Sequence, residues 1–304
     1  MKKPLSNKIN WFKGVLLGVP SLWLAVFLFL PLMLILKMSF AEAILAQPPF
    51  TALLNWGEGL LPELNISFFS YALLIEDNYY IGALLQSLTL ATIATSCTLL
   101  IALPMVLAMI KMPNKWQNIF LILVILPFWT SFLIRVYSWK ILLRNDGFIN
   151  QILLYFGLIN DPLPMLYSQF AVLIGIVYSY LPFMILPLFA GLKKLDYALV
   201  EAAEDLGAKP LTIFFRVILP LIYPSIIAGI ILVFIPATGE FVIPDLLGGS
   251  DSLLIGKLIW IEFFNNRDWP TASAIALILL ILFALPLLIL NKFTRKSQKW
   301  QDLV

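Results

Sequence analysis

The sequence predicts an all-α integral membrane protein of six transmembrane helices with both termini cytoplasmic. Three observations carry that reading. The chain is 61% hydrophobic and only 12% charged, with a mean hydropathy of +0.95, whereas a soluble domain has about a quarter of its residues charged. Apolar runs recur six times, each near the length that crosses about 30 Å of hydrocarbon. Lysine and arginine gather on one side of the resulting topology. Backbone polar groups in lipid must pair within their own segment, so the spans are helices.

Residues 1–13 form a cytoplasmic N-terminus with four lysines. The first span covers 14–36. Ala41-Glu42-Ala43 looks like a cleavage site, but the apolar run of about 23 residues exceeds the roughly 7–15 of a signal-peptide core, so the span is read as uncleaved. A long polar segment, 37–81, holds Pro48-Pro49, Glu58, Glu63, Glu76 and Asp77. The second span is 82–110. A turn with Lys111, Pro113 and Lys115 leads to the third, 116–136. Residues 137–169 are polar and aromatic, with a surface helix expected near 148–156. The fourth span is 170–192. The cytoplasmic loop 193–220 separates it from the fifth, 221–246, and the sixth is 269–290. A single transmembrane domain thus covers 14–292, and 293–304 form a cytoplasmic tail.

With both termini, the 111–116 turn and the 193–220 loop inside, 14 of the 20 Lys and Arg are cytoplasmic. The other six are Lys37, Arg135, Lys140, Arg144, Lys257 and Arg267. The positive-inside rule selects this orientation. Twelve of the 17 acids fall on the outer side; against six bases they leave it a net −6. Such a mouth concentrates cations and disfavours anions.

The loop between the fourth and fifth spans has its own pattern. Leu195, Ala198, Leu199, Ala202 and Leu206 recur at i, i+3, i+4, i+7 and i+11, the apolar stripe of an amphipathic helix. Asp196 is placed to accept from the orphan amides at its start. Glu201, Glu204 and Asp205 take the other side. Gly207 is the expected left-handed stop, and Pro210 opens a second helix. Leu211, Phe214, Phe215 and Ile218 share a side of that helix until Pro220 and Pro224 break or kink it. By residue pattern alone, an amphipathic helix lying in the membrane interface satisfies the same stretch.

Several chemistries are excluded. The chain has one cysteine, Cys97, and no histidine. Disulfides, Cys/His metal sites and histidine-based catalysis are therefore absent within it. No metal site and no catalytic residue is expected. Gly256-Lys257 is followed by Leu258, and Asp251 stands where a phosphate-binding loop needs its first glycine. ATP is not bound by that route, so an energy source lies in another subunit.

Charges within or near the spans are functional candidates. Glu240 and Asp245 lie in IPATGEFVIPDLLGG, with Glu240 about 28 Å along the fifth span. Pro236, Gly239 and Pro244 make that stretch irregular, which membranes accept only within protein or beside a cavity. Arg135 ends the third span. One reading pairs Arg135 with Glu240 or Asp245 as a helix-linking ion pair. The other has Glu240 and Asp245 binding a substrate ammonium, with Trp129, Tyr137 or Trp139 supplying ring faces. Those aromatics also suit an interfacial belt.

Glu201-Ala202-Ala203, Gly207 and Ile218-Leu219-Pro220 resemble the EAA loop of ABC importer permeases, with Leu199, Leu206 and Pro210 completing the coupling set. Three further segments, ILPFWTSFLIRVYSW (125–139), GIVYSYLPFMILPL (175–188) and GEFVIPDLLGGSDSLLIGKLIWIEFFNNRDWPTASA (239–274), resemble the polyamine importer permeases, nearer their putrescine type than their spermidine type. The resemblance covers nearly the whole chain. It implies a type I ABC importer permease fold and a location in the bacterial inner membrane. It also implies a second homologous permease subunit, an ATPase homodimer holding the ATP and Mg, and a periplasmic polyamine-binding protein. No cofactor is expected in this chain, and membrane lipid but no nucleic acid contacts it. The segments 37–81 and 247–268 would face the binding protein. The helix 195–206 would act as a lever, moving with the ATPase because it packs its apolar stripe. Three alternatives remain: an importer for spermidine or another small solute, an ion-driven secondary transporter or channel without an ATPase, and an intramembrane enzyme. The last lacks a catalytic constellation.

Overall fold

The computed structural model describes residues 6–55, 63–249 and 252–301, with side chains described for 14–53, 65–249 and 252–286. Glu58 and Asp251 lie outside the described residues, as do the side chains of Glu63, of the N-terminal lysines and of Lys292, Arg295, Lys296 and Lys299. Helix dominates. The described exception to helix and loop is a two-residue ladder of β1 (Leu54–Asn55) on β2 (Glu63–Leu64) and an isolated bridge between Ala43 and Phe50.

Five described helices are long and apolar enough to cross a membrane: Gly14–Ser39, Asn78–Ile110, Gln169–Lys193, Pro210–Thr238 and Trp269–Pro286. A bent pair, Asn114–Trp129 with Phe132–Leu142, makes a sixth when counted as one span. In chain order these and the shorter helices are α1 (6–39), α2 (Phe69–Glu76), α3 (Asn78–Ile110), α4 (Asn114–Trp129), α5 (Phe132–Leu142), α6 (Phe148–Tyr155), α7 (Gln169–Lys193), α8 (Ala198–Asp205), α9 (Pro210–Thr238), α10 (Val242–Leu247), α11 (255–265) and α12 (Trp269–Gln301).

Two spans differ from the sequence expectation. The third is no single rod, because α4 and α5 meet at 92°. Pro127 has no amide to continue the helical ladder, Leu126–Trp129 tightens to a 3-10 turn, and Thr130 and Ser131 are extended. The fifth does not run to residue 246. It begins at Pro210, ends at Thr238, and is followed by a break before α10. Pro220 and Pro224 do not end it. A π turn at Phe214–Ile218 ends two residues before Pro220, and the helix continues through both prolines.

The chain forms two compact units, Tyr79–Leu258 and Met1–Asn78 with Ile259–Val304. In the first, α7 is the central rod. One stretch of it, Val172 and Ile176, packs with Leu90, Ala94, Val136, Ile243 and Leu247. The other, Met184, Ile185 and Leu188, packs with Val106, Met109, Ile222 and Val233. Lipid supplies little hydrophobic drive between helices, so close approach at small residues holds them. Gly191 lies against Ser225 and Gly229 against Met184, where a Cβ would collide with the side chain opposite.

In the second unit, α12 packs on the later part of α1 and on α2. The Tyr71 hydroxyl donates to Ser39 Oγ at 2.8 Å, and Trp269 stacks on Phe263 with centroids 5.0 Å apart. The stretch from Gly14 to Leu30 buries nothing against the rest of the chain.

Candidate functional site

The loop between α7 and α9 is built as a helix, turn and helix. Asp196 Oδ1 accepts the Ala198 amide at 3.1 Å, which starts α8. At its end the Gly207 amide reaches the Glu204 carbonyl at 2.8 Å and the Ala208 amide reaches Ala203 at 3.1 Å. That pair of bonds is a Schellman closure, and Gly207 sits at φ +76° to make it. A Cβ on Gly207 would meet nothing within 4 Å, so glycine is favoured by its dihedral angle and not by a close neighbour in this chain. Pro210 is the first residue of α9.

The apolar stripe is largely uncovered by this chain. Leu195, Val200 and Ala203 are half-buried, but Leu199 is 48% and Leu206 88% exposed. Glu201, Ala202, Gly207, Pro210 and Pro220 are exposed as well. Leu211 and Phe215 continue the open apolar surface along α9. Behind α8 lies a cavity of about 250 Å³ bounded by Leu107, Leu195, Val200 and Ile213. Leu199, Leu206, Leu211 and Phe215 thus form an open apolar face, the kind of surface that marks a partner site.

The second candidate site lies at the break between α9 and α10. Glu240 is 8% exposed and sits in the break, not along a helix. Its Oε2 accepts a short hydrogen bond from the Tyr180 hydroxyl on α7. Its Oε1 accepts the Val242 amide at 3.0 Å and the Ile243 amide at 3.4 Å, capping α10. Gly256 presses on this break, since a Cβ there would run into the carbonyls of Gly239 and Glu240. The Ser87 hydroxyl accepts the Ile255 amide at 2.7 Å and ties the start of α11 to α3.

Arg135 is paired with neither carboxylate. Asp245 bonds Lys257 at 3.2 Å and stays exposed. The Arg135 guanidinium lies over the rings of Phe128 and Phe132, 5.0 and 5.6 Å from their centroids, and its Nε has no described acceptor. The three candidate aromatics separate. Trp129 is exposed, Tyr137 faces Lys140 of its own chain, and Trp139 packs edge-on against Tyr178. The structure therefore does not gather Trp129, Tyr137, Trp139, Arg135, Glu240 and Asp245 into one pocket. It shows instead an aromatic line from Arg135 through Phe128, Phe183 and Tyr180 to Glu240. Sequence reasoning missed Tyr180, Phe128 and Gly256; the first lies in the 175–188 segment, where nothing in its spacing marks it as a partner of Glu240.

Comparison with known proteins fits this architecture. The model of the family described as "Binding-protein-dependent transport system inner membrane component" matches residues 1–298. The chain is 40% identical over 281 residues to the spermidine/putrescine transport system permease protein PotB of Escherichia coli strain K12, covering 92% of this chain and 97% of that one. It is 40% identical over 283 residues to the PotB of Haemophilus influenzae, covering 91% and 92%. A crystal structure of a bacterial ABC transporter that imports alginate superposes with a TM-score of 0.70 at 18% identity, over 95% of this chain and 96% of that one. The same transporter in complex with a pentasaccharide-bound periplasmic protein gives 0.71 at 19% identity, over 97% of each chain. The fold is that of an ABC importer permease, a non-catalytic subunit, and the chain belongs to the family of binding-protein-dependent transport system inner membrane components.

Proposed function

We propose that this chain is the permease subunit of an ATP-driven importer that carries a polyamine, putrescine in particular, from periplasm to cytoplasm. The observation that carries the reading is identity of 40% along nearly the whole length to permeases named for spermidine and putrescine. The net charge of −6 on the outer side is consistent with a cationic cargo.

The α8 face, with Leu199 and Leu206 open, docks on an ATPase homodimer that holds ATP and Mg. A second, homologous permease completes the path, and a periplasmic binding protein delivers the cargo. Closing of the ATPase dimer moves α8, and the two permeases alternate between inward-open and outward-open states. Within this chain the roles of the two carboxylates diverge. Glu240 holds the α9–α10 break in place, while Asp245 is exposed and an ammonium group would meet it by displacing or sharing the Lys257 ammonium.

Uptake of labelled putrescine and spermidine into proteoliposomes carrying the full complex tests this. Putrescine uptake that depends on binding protein and ATP is expected. Uptake of neither polyamine, or uptake without an ATPase, contradicts it. Spermidine uptake alone selects the second reading, which the names of the same relatives support equally.

A further inference from the structure

We infer that the cavity behind α8 holds one aminophospholipid, with hydrocarbon inside it and the phosphate and ammonium of the headgroup met at its mouth by Lys111 and Glu204. Such a site serves whatever cargo the importer carries.

The cavity, of about 250 Å³, lies where three spans meet the loop. The span of α3 ends at Ile110, that of α7 ends at Lys193, and that of α9 begins at Pro210. This is headgroup depth, at the edge of the hydrocarbon that those spans cross. The walls are Leu107 and Ile110 of α3, Leu192 of α7, Val200 of α8, and Ile213 and Ile218 of α9. A cavity with apolar walls stays dry or takes an apolar guest. The π turn Phe214–Ile218 borders it with its first and last residues. Such turns are frequent at functional sites.

Two charged side chains line the cavity, Lys111 and Glu204, and both are exposed, which sets them at its mouth. They come from different elements, and among the described residues neither makes an ion pair or a side-chain hydrogen bond. Lys111 is held in place by Gln117, whose Nε2 donates to the carbonyls on either side of it, Ile110 at 3.1 Å and Met112 at 2.8 Å. The exposed charges next to wall residues in the chain balance as well, with Lys193, Lys194 and Lys209 against Asp196, Glu201 and Asp205. The occupant therefore brings hydrocarbon at one end and both an anion and a cation at the other. A phospholipid with a primary ammonium does so: its phosphate accepts from Lys111 and its ammonium donates to Glu204. Lysines between spans on the cytoplasmic side are a setting in which lipid headgroups bind. A choline lipid has no N–H for Glu204, a glycerol lipid has no cation for it, and a soluble zwitterion leaves the apolar walls bare.

The test uses the whole complex, stripped of lipid in detergent. Phosphatidylethanolamine, phosphatidylcholine or phosphatidylglycerol is added, and retained lipid is counted by native mass spectrometry. Saturable retention of phosphatidylethanolamine is expected, with the other two held about tenfold more weakly. Lys111→Gln and Glu204→Gln should each weaken retention about tenfold. Leu107→Phe, which fills the cavity, should remove one lipid per complex, and Val200→Leu, a smaller filling, repeats that test. Melting temperatures without lipid separate loss of the site from loss of the fold. Phosphoethanolamine, the headgroup without its chains, should not compete. Equal retention of phosphatidylcholine, competition by phosphoethanolamine, retention unchanged in Leu107→Phe and Val200→Leu, or losses that come only with lowered melting temperatures, would each overturn the inference.

Discussion

The Tyr180 hydroxyl on α7 donates to Glu240 Oε2 in the break between α9 and α10. With the two α10 amides on Oε1, this uses both carboxylate oxygens of a buried residue. The interaction joins the central rod of its unit to the point where the fifth span stops being helical.

Tyr180→Phe removes one partner and leaves a buried acceptor unsatisfied, a cost of about 1–3 kcal/mol. The complex is expected to melt several degrees lower. Tyr180→Phe combined with Glu240→Gln should cost less than the sum of the two single changes, because they share one contact. Strict additivity in melting curves would show that the two residues act separately.

Gly256→Ala places a methyl group against the carbonyls of Gly239 and Glu240. Backbone atoms do not yield as a flexible side chain does, so a cost of about 1–3 kcal/mol is expected. Expression and melting temperature should fall, and Gly82→Ala, which meets nothing within 4 Å, should leave both unchanged.

Gly207→Asp is expected to leave insertion and assembly intact but to lower transport and binding-protein-stimulated ATPase activity. The residue holds φ +76°, where a side chain costs about 1 kcal/mol or more. Gly207→Asn should be milder, since asparagine tolerates that region. Normal coupling in Gly207→Asp would remove the turn from the lever.

Leu206→Ser changes a side chain that is 88% exposed. The permease should keep its melting temperature within about 1 °C, because exposed substitutions stay within about 0.5 kcal/mol. Co-purification of the ATPase should drop severalfold. Val200→Ser, on the half-buried side of α8, should instead lower stability.

The helical membrane class was legible from composition and span lengths, and the Gly207 turn from its cap residues. Charge and periodicity locate a helix and its stripe, but they do not tell which side a short helix shows to its own bundle. Leu199 and Leu206 turn out to be open in this chain, while Val200 and Ala203 face its bundle. The break at Thr130 and Ser131 depends on a local loss of the backbone ladder that apolar runs conceal. Glu240 was visible as a costly charge; its partner Tyr180 stands 60 residues away, and such a contact exists only once α7 and α9 have packed. The Arg135 pairing failed for a related reason, because aromatic faces and not a carboxylate lie beneath that guanidinium.

The most direct test of the central claim is the ATPase activity of the complex reconstituted with its ATPase, second permease and binding protein. Stimulation is compared for binding protein loaded with putrescine, spermidine or sulfate. Stimulation by putrescine, lost in Leu206→Ser, is the expected result. Stimulation by sulfate, or by no polyamine, would contradict a polyamine importer and leave only the family assignment in place.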